Sequence, residues 1–167
     1  MLLALAFAFV LTVAASPVLP AQARADSLVL ERTLCYGTCP AYRLSINTNG
    51  VVRFQSRNPG DTTSESDSLS PNVLVDLTRR ATAIRLAEYP ERIEADRRMC
   101  EDSATDHPTV TVTLFAAQSL VRIVDYQGCF HSADHSLNAP LTALRAFERS
   151  IDSALASARW VRPARRR

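Results

Sequence analysis

The chain has 167 residues, with 19 basic against 17 acidic side chains and a formal net charge of +2. So even a balance gives no bulk-charge signature of a nucleic-acid binder. Every one of the 19 basic residues is arginine, which excludes lysine Schiff-base chemistry and phosphate-loop lysines.

The first segment is apolar from Leu2 to Ala15, is broken at Pro17 and Pro20, and ends in Ala23-Arg24-Ala25, an A-x-A cleavage pattern. It reads as a secretory signal peptide over residues 1–25, removed near Ala25 to release a periplasmic or secreted product. The segment lacks an early Lys or Arg and approaches the length of a short membrane span, but the prolines and the A-x-A site favour cleavage over an anchor. No cysteine follows the apolar run, which argues against a lipoprotein. Taking 25 residues from 167 leaves 142, the size of one domain. Four cysteines in an exported chain imply an oxidising compartment and two disulfides, with three connectivities open.

Ser27 to Leu34 alternates, with Leu28, Leu30 and Leu34 on one face and Glu31 and Thr33 on the other, as a strand does. Cys35-Tyr36-Gly37-Thr38-Cys39-Pro40 follows. Two cysteines four apart meet only if the chain folds back at Gly37, and Pro40 sends it out extended. This is either a structural bridge at a strand entry or a redox-active or metal-binding pair. The Cys-x3-Cys spacing and the lack of an adjacent His or Lys favour the structural bridge. Tyr42, Leu44 and Ile46 then alternate with polar residues, as do Val52 and Phe54, around Thr48-Asn49-Gly50. A three-residue loop sets Ile46 opposite Val52 and Leu44 opposite Phe54, so a type I turn with Gly50 in the left-handed bulge position is predicted.

Ser56 to Ser70 is polar, a loop or at best a polar edge strand. Ser70-Pro71 caps a helix with Leu74, Leu77, Ala81 and Ile84 at helical spacing, ended by Tyr89-Pro90. Pro90 to Pro108 is a long charged loop with Arg97, Arg98, Glu101 and Asp102 around Met99 and Cys100. Its mixed signs suggest a solvated, self-paired surface, and its length suggests an interaction loop. Thr109 to Phe115 and Leu120 to Tyr126 form a hairpin, with the second strand expected to be the more buried. Asn138-Ala139-Pro140 opens a helix bearing Leu141, Leu144, Phe147, Ile151 and Leu155 on one stripe. The order βββ-α-ββ-α predicts an α+β two-layer sandwich: an antiparallel sheet of about five strands covered by two helices, spanning residues 26–160. Trp160 is expected to pack on the sheet. Residues 161–167 form an Arg-rich tail, which is either a solvated terminus or a contact for an anionic surface.

Cys129, His131, Asp134 and His135, with Asp106 and His107 if the hairpin brings them near, have acceptable ligand types for zinc but match no standard spacing. The even cysteine count favours oxidation of Cys129, leaving His131, Asp134 and His135 as the remaining metal candidates. There is no G-x-S-x-G, no H-E-x-x-H and no phosphate-binding glycine loop, and the only histidine bases are His107, His131 and His135. No catalytic residue and no cofactor is assigned. The preferred reading is a non-catalytic binding or structural module of the cell envelope, its partner an envelope protein or anionic surface, its interaction loops Glu91 to Asp102 and Gly128 to His135. The alternatives are a thiol-disulfide protein using Cys35 and Cys39, and metal binding through the His131 loop.

The run from Leu30 to Tyr42, with Cys35-Tyr36-Gly37-Thr38-Cys39-Pro40 inside it, resembles the opening signature of a bacterial family, domain of unknown function 6438. The likeness extends through Asn49-Gly50, Thr105-Asp106-His107-Pro108, Asp125-Tyr126 and a closing helix near Trp160. The resemblance implies a single secreted or envelope domain and no particular reaction. It also implies that only the first cysteine pair belongs to the family pattern, so that Cys35 pairs with Cys39 and Cys100 with Cys129.

Overall fold

A computed structural model describes residues 25–117, 119–130 and 138–161. In chain order its elements are β1 (Ala25–Arg32), β2 (Tyr42–Asn47), β3 (Val51–Ser56), β4 (Ser64–Ser68), α1 (Asn72–Ala83), β5 (Asp102–Ser103), β6 (Thr109–Ala116), β7 (Ser119–Tyr126), β8 (Cys129–Phe130) and α2 (Asn138–Ala154). Short 3-10 turns lie at Leu86–Glu88, Ile93–Ala95 and Ser157–Arg159.

The main sheet has six antiparallel strands in the order β4-β3-β2-β1-β6-β7, and β5 pairs with β8 in a separate ribbon. This is the expected α+β sandwich with one strand more than expected. The addition is β4, whose Ser-Glu-Ser-Asp-Ser sequence carries no hydrophobic alternation and which joins the edge through its backbone alone.

The β2–β3 hairpin has the register that alternation requires, Ile46 against Val52 and Leu44 against Phe54. Gly50 turns it at φ 77°. Leu69 N donates to Gly50 O at 2.9 Å, so the hairpin tip also guides the chain from β4 into α1. Ser70 Oγ accepts from Asn72 N at 3.3 Å in the first turn of α1. Helix α1 buries Leu74, Leu77 and Ala81 and ends before Arg85, whose φ of 56° is left-handed.

Strand β7 is buried only over Ile123–Asp125, so it is not the more buried member of its hairpin. The reason is its place at the outside of the sheet. The loop after α1 partly closes that edge: Val124 N donates to Glu91 O at 2.7 Å, Arg92 bridges Val124 in parallel, and Ile93 is fully buried.

The core lies between one sheet face and the two helices. Leu28, Leu30, Leu44, Ile46, Val52, Phe54, Val110, Val112 and Ile123 meet Leu74 and Leu77 of α1 and the Leu141, Leu144, Phe147, Ile151 and Leu155 stripe of α2. Each such aliphatic or aromatic side chain contributes about 1.5–3 kcal/mol relative to exposure, enough in sum to fix both helices on this face. Trp160 packs against that core, its ring centroid 5.7 Å from that of Phe54, with the Arg159 guanidinium 4.1 Å over it. No helix among the described residues is long and apolar enough to cross a membrane.

Candidate functional site

Because β1 and β7 run parallel with β6 between them, their C-terminal ends lie together, and both disulfides form there. Cys35 is bonded to Cys39 and Cys100 to Cys129, with Cα separations of 5.5 and 5.0 Å. Gly37 N donates to Cys35 O at 2.9 Å, folding the first loop back on itself. That loop is tied to the segment before β6: Tyr36 N donates to Asp106 O at 3.1 Å, Thr33 N to Thr109 O at 3.0 Å, and Thr109 N to Thr33 Oγ1 at 2.8 Å. The same segment is held from the other side. Tyr126 Oη donates to Ala104 O at 2.9 Å and accepts from His107 N at 3.3 Å, and Ala104 N donates to Gly128 O at 3.0 Å. Three connections are thereby stapled into one end of the domain. They leave Tyr36 89 % exposed, with Leu34 and Phe130 each 39 % exposed beside cysteines of the two bridges.

Under this end lies a buried polar cluster. By strand alternation Asp125 shares the core face of β7 with Val121 and Ile123, and it is fully buried. It accepts from Arg145 Nε at 3.0 Å and from Gln127 Nε2 at 2.6 Å. The same Gln127 nitrogen reaches Glu148 Oε2 at 3.1 Å, while Glu148 Oε1 is buried with no hydrogen-bond partner. Burial first, and then the Asp125 carboxylate, push the Glu148 pKa up to about 8, against the pull of Arg32, Gln127 and Arg145. One turn further along α2, Asp152 accepts from Arg32 Nη2 at 2.7 Å, Tyr42 Oη at 2.6 Å and Ser157 Oγ at 2.9 Å. Burial, and then Asp152, raise the Tyr42 hydroxyl pKa. With Asp125 and Glu148 shut away from solvent, this cluster acts as a polar brace between α2 and the sheet.

Of the predicted site residues, Cys35, Cys39, Cys100 and Cys129 are all oxidised. His131, Asp134 and His135 lie outside the described residues. Among the described residues no group of three His, Cys, Asp or Glu side chains is placed to hold a metal ion. His107 is exposed, and its backbone nitrogen serves the Tyr126 hydroxyl. In the charged loop Arg97, Arg98, Glu101 and Asp102 are all exposed, Arg98 Nη2 pairs with Asp96 at 2.7 Å, Arg92 pairs with Glu94, and Arg122 of β7 reaches Glu91 at 3.0 Å. Cys100 and Met99 are buried beneath these residues.

The polar brace was not anticipated, although two signals mark it. Glu148 interrupts the Leu141-Leu144-Ile151-Leu155 stripe at its middle, and Asp125 takes an apolar position in the β7 alternation. Arg145 and Asp152 lie three residues before and four after Glu148, on the same side of the helix.

A two-layer antiparallel α+β domain, stapled at one end by two disulfides, is the class that fold and site define. Within that class the chain belongs to the family described as Domain of unknown function (DUF6438), whose model matches residues 26–152. No curated protein matches it.

Proposed function

We propose that this protein is a non-catalytic binding module of the cell envelope, exported through removal of residues 1–25, which recognises its partner with the disulfide-stapled end of the sheet. The observation that carries the reading is Tyr36, 89 % exposed on a loop closed by the Cys35–Cys39 bridge and bonded to Asp106. An aromatic ring presented on a rigid loop loses little conformational freedom on binding, which makes it an effective anchor. Export is supported by the A-x-A site at Ala25, by two disulfides, and by a family match that begins at Asp26, the next residue.

A photo-crosslinking residue at position 36, introduced in intact cells of the native host, tests the reading. The expected result is a discrete adduct in the envelope fraction, from protein whose N-terminus is Asp26. No adduct, or the same adducts from a crosslinker at Val75 on the exposed side of α1, would refute it.

A thiol-disulfide role for Cys35 and Cys39 is the second reading. It is favoured by one contrast: both cysteines are part-exposed, whereas Cys100 and Cys129 are buried. Rapid native-state reduction of the first bridge, followed by alkylation of a thiolate near neutral pH, is its signature.

A further inference from the structure

The sheet face away from the helices has a depression at its centre, and strand register explains it. Ser66, Arg53, Ser45, Val29, Thr113 and Arg122 stand in one row across the six strands. In the neighbouring row Ser27 stands between Asn47 and Phe115. Small residues on β1 and β2 thus form a floor of Ser27, Val29 and Ser45. Arg43 and Arg53 rise on one side of it and Phe115 on the other, bordering an open cavity of about 380 Å³. That volume is in the range of small-molecule sites. Val29 is only 4 % exposed although no described helix covers this face, which shows how far the rim stands above the floor.

The charges around the cavity are unequal. Glu31 accepts from Arg43 Nη1 at 2.8 Å and fixes that guanidinium at the rim. Arg53 is exposed and forms no ion pair among the described residues, so one positive charge is left over beside the serine hydroxyls. On the same face Arg122 is committed to Glu91. One uncompensated arginine next to a second, oriented one suits a single anionic group better than a polyanion. Phe115, 40 % exposed, offers a flat apolar surface opposite.

We propose that this cavity binds a small organic anion. Its carboxylate or phosphate group lies between Arg43 and Arg53, its apolar or planar body rests on Phe115, and Ser27 and Ser45 serve as neutral hydrogen-bond partners. The site is separate from the stapled end, and the proposal stands independently of the reading above.

The test is titration of the exported protein with phenyl phosphate, benzoate, inorganic phosphate and benzyl alcohol, followed by backbone amide shifts in 1H–15N spectra. Phenyl phosphate or benzoate is expected to shift the amides of Ser27, Ser45, Arg53 and Phe115, and whichever binds more tightly identifies the anionic group. Inorganic phosphate and benzyl alcohol, each carrying half of the recognition, bind more weakly. Arg53→Gln should weaken binding about tenfold through loss of a charge-assisted hydrogen bond, whereas Arg80→Gln on α1 leaves it unchanged. Absence of shifts at these amides with both aromatic anions, or equal binding by Arg53→Gln, overturns the proposal. So does a concentration-dependent dimer that buries Phe115, which would assign this face to a second copy of the chain.

Discussion

Asp125 and Glu148, two buried carboxylates on different elements, accept from the same side-chain nitrogen of Gln127, at 2.6 and 3.1 Å. Around them the brace holds three acids, Asp125, Glu148 and Asp152, and two cations, Arg32 and Arg145. A protonated Glu148 balances that count, and a pKa near 8 keeps it protonated at neutral pH. Its ordinary value is 4.5, so between about pH 4.5 and 8 the folded state holds a proton that the unfolded state has released. This contribution to stability is complete below pH 4.5 and is lost as the pH rises through 8. Urea midpoints of the wild type should therefore fall over this interval by the equivalent of about 2–4 kcal/mol, and those of Glu148→Gln should fall much less. Parallel profiles for the two proteins would show that Glu148 ionises normally in the fold.

Asp152 joins strands to helix through a part-buried arginine, since the Arg32 and Asp152 side chains are 18 % and 20 % exposed. Asp152→Ala leaves the Arg32 charge without its partner and should cost about 3 kcal/mol, whereas Tyr42→Phe removes one hydrogen bond and should cost about 1–2 kcal/mol. Chemical denaturation of both variants gives the comparison. Equal losses would mean that the Arg32 pair contributes nothing beyond the tyrosine bond.

The two bridges close loops of very different length, with separations of 4 and 29 residues. In the chain-entropy model, loss of Cys100–Cys129 costs about 3–4 kcal/mol and loss of Cys35–Cys39 about 2 kcal/mol. Paired alanine substitutions, compared by denaturant midpoints, should rank in that order. The reverse order would place the domain's stability in the first loop.

Gly50 and Gly60 have nearly the same backbone angle, φ 77° and 76°, in different surroundings. A Cβ at Gly50 would stand 2.1 Å from Leu69 O, whereas one at Gly60 meets nothing within 4 Å. Gly60→Ala should therefore cost about 1 kcal/mol of backbone strain alone, and Gly50→Ala about 3 kcal/mol or more, because the turn from β4 into α1 must move. Thermal melts of the two single variants separate these effects. Matching shifts would show that the Leu69 contact yields freely.

Local pattern was sufficient wherever one residue's neighbours along the chain dictate its environment. Alternation placed Leu44 against Phe54 and Ile46 against Val52, Ser70-Pro71 marked the start of α1, and the apolar stripe of α2 found the core. The same pattern already contained Asp125 and Glu148 at apolar positions. It could not name the partners of Glu148 and Asp152, because Gln127, Arg32 and Tyr42 come from other strands and turns.

By itself, then, the sequence determined the class of fold, the hairpin register and the stripes that make the core, all consequences of periods of two and 3.6 residues. Tertiary structure decided the rest. It recruited β4 as a sixth strand through backbone pairing that side-chain hydrophobicity does not report, and it put β1 at the centre and β7 at the rim, with the Glu91–Ile93 chain closing that edge. It also set small residues of neighbouring strands side by side to form the cavity between Arg53 and Phe115. These are relationships between residues far apart in sequence, and their free energy exists only once the strands have taken their places.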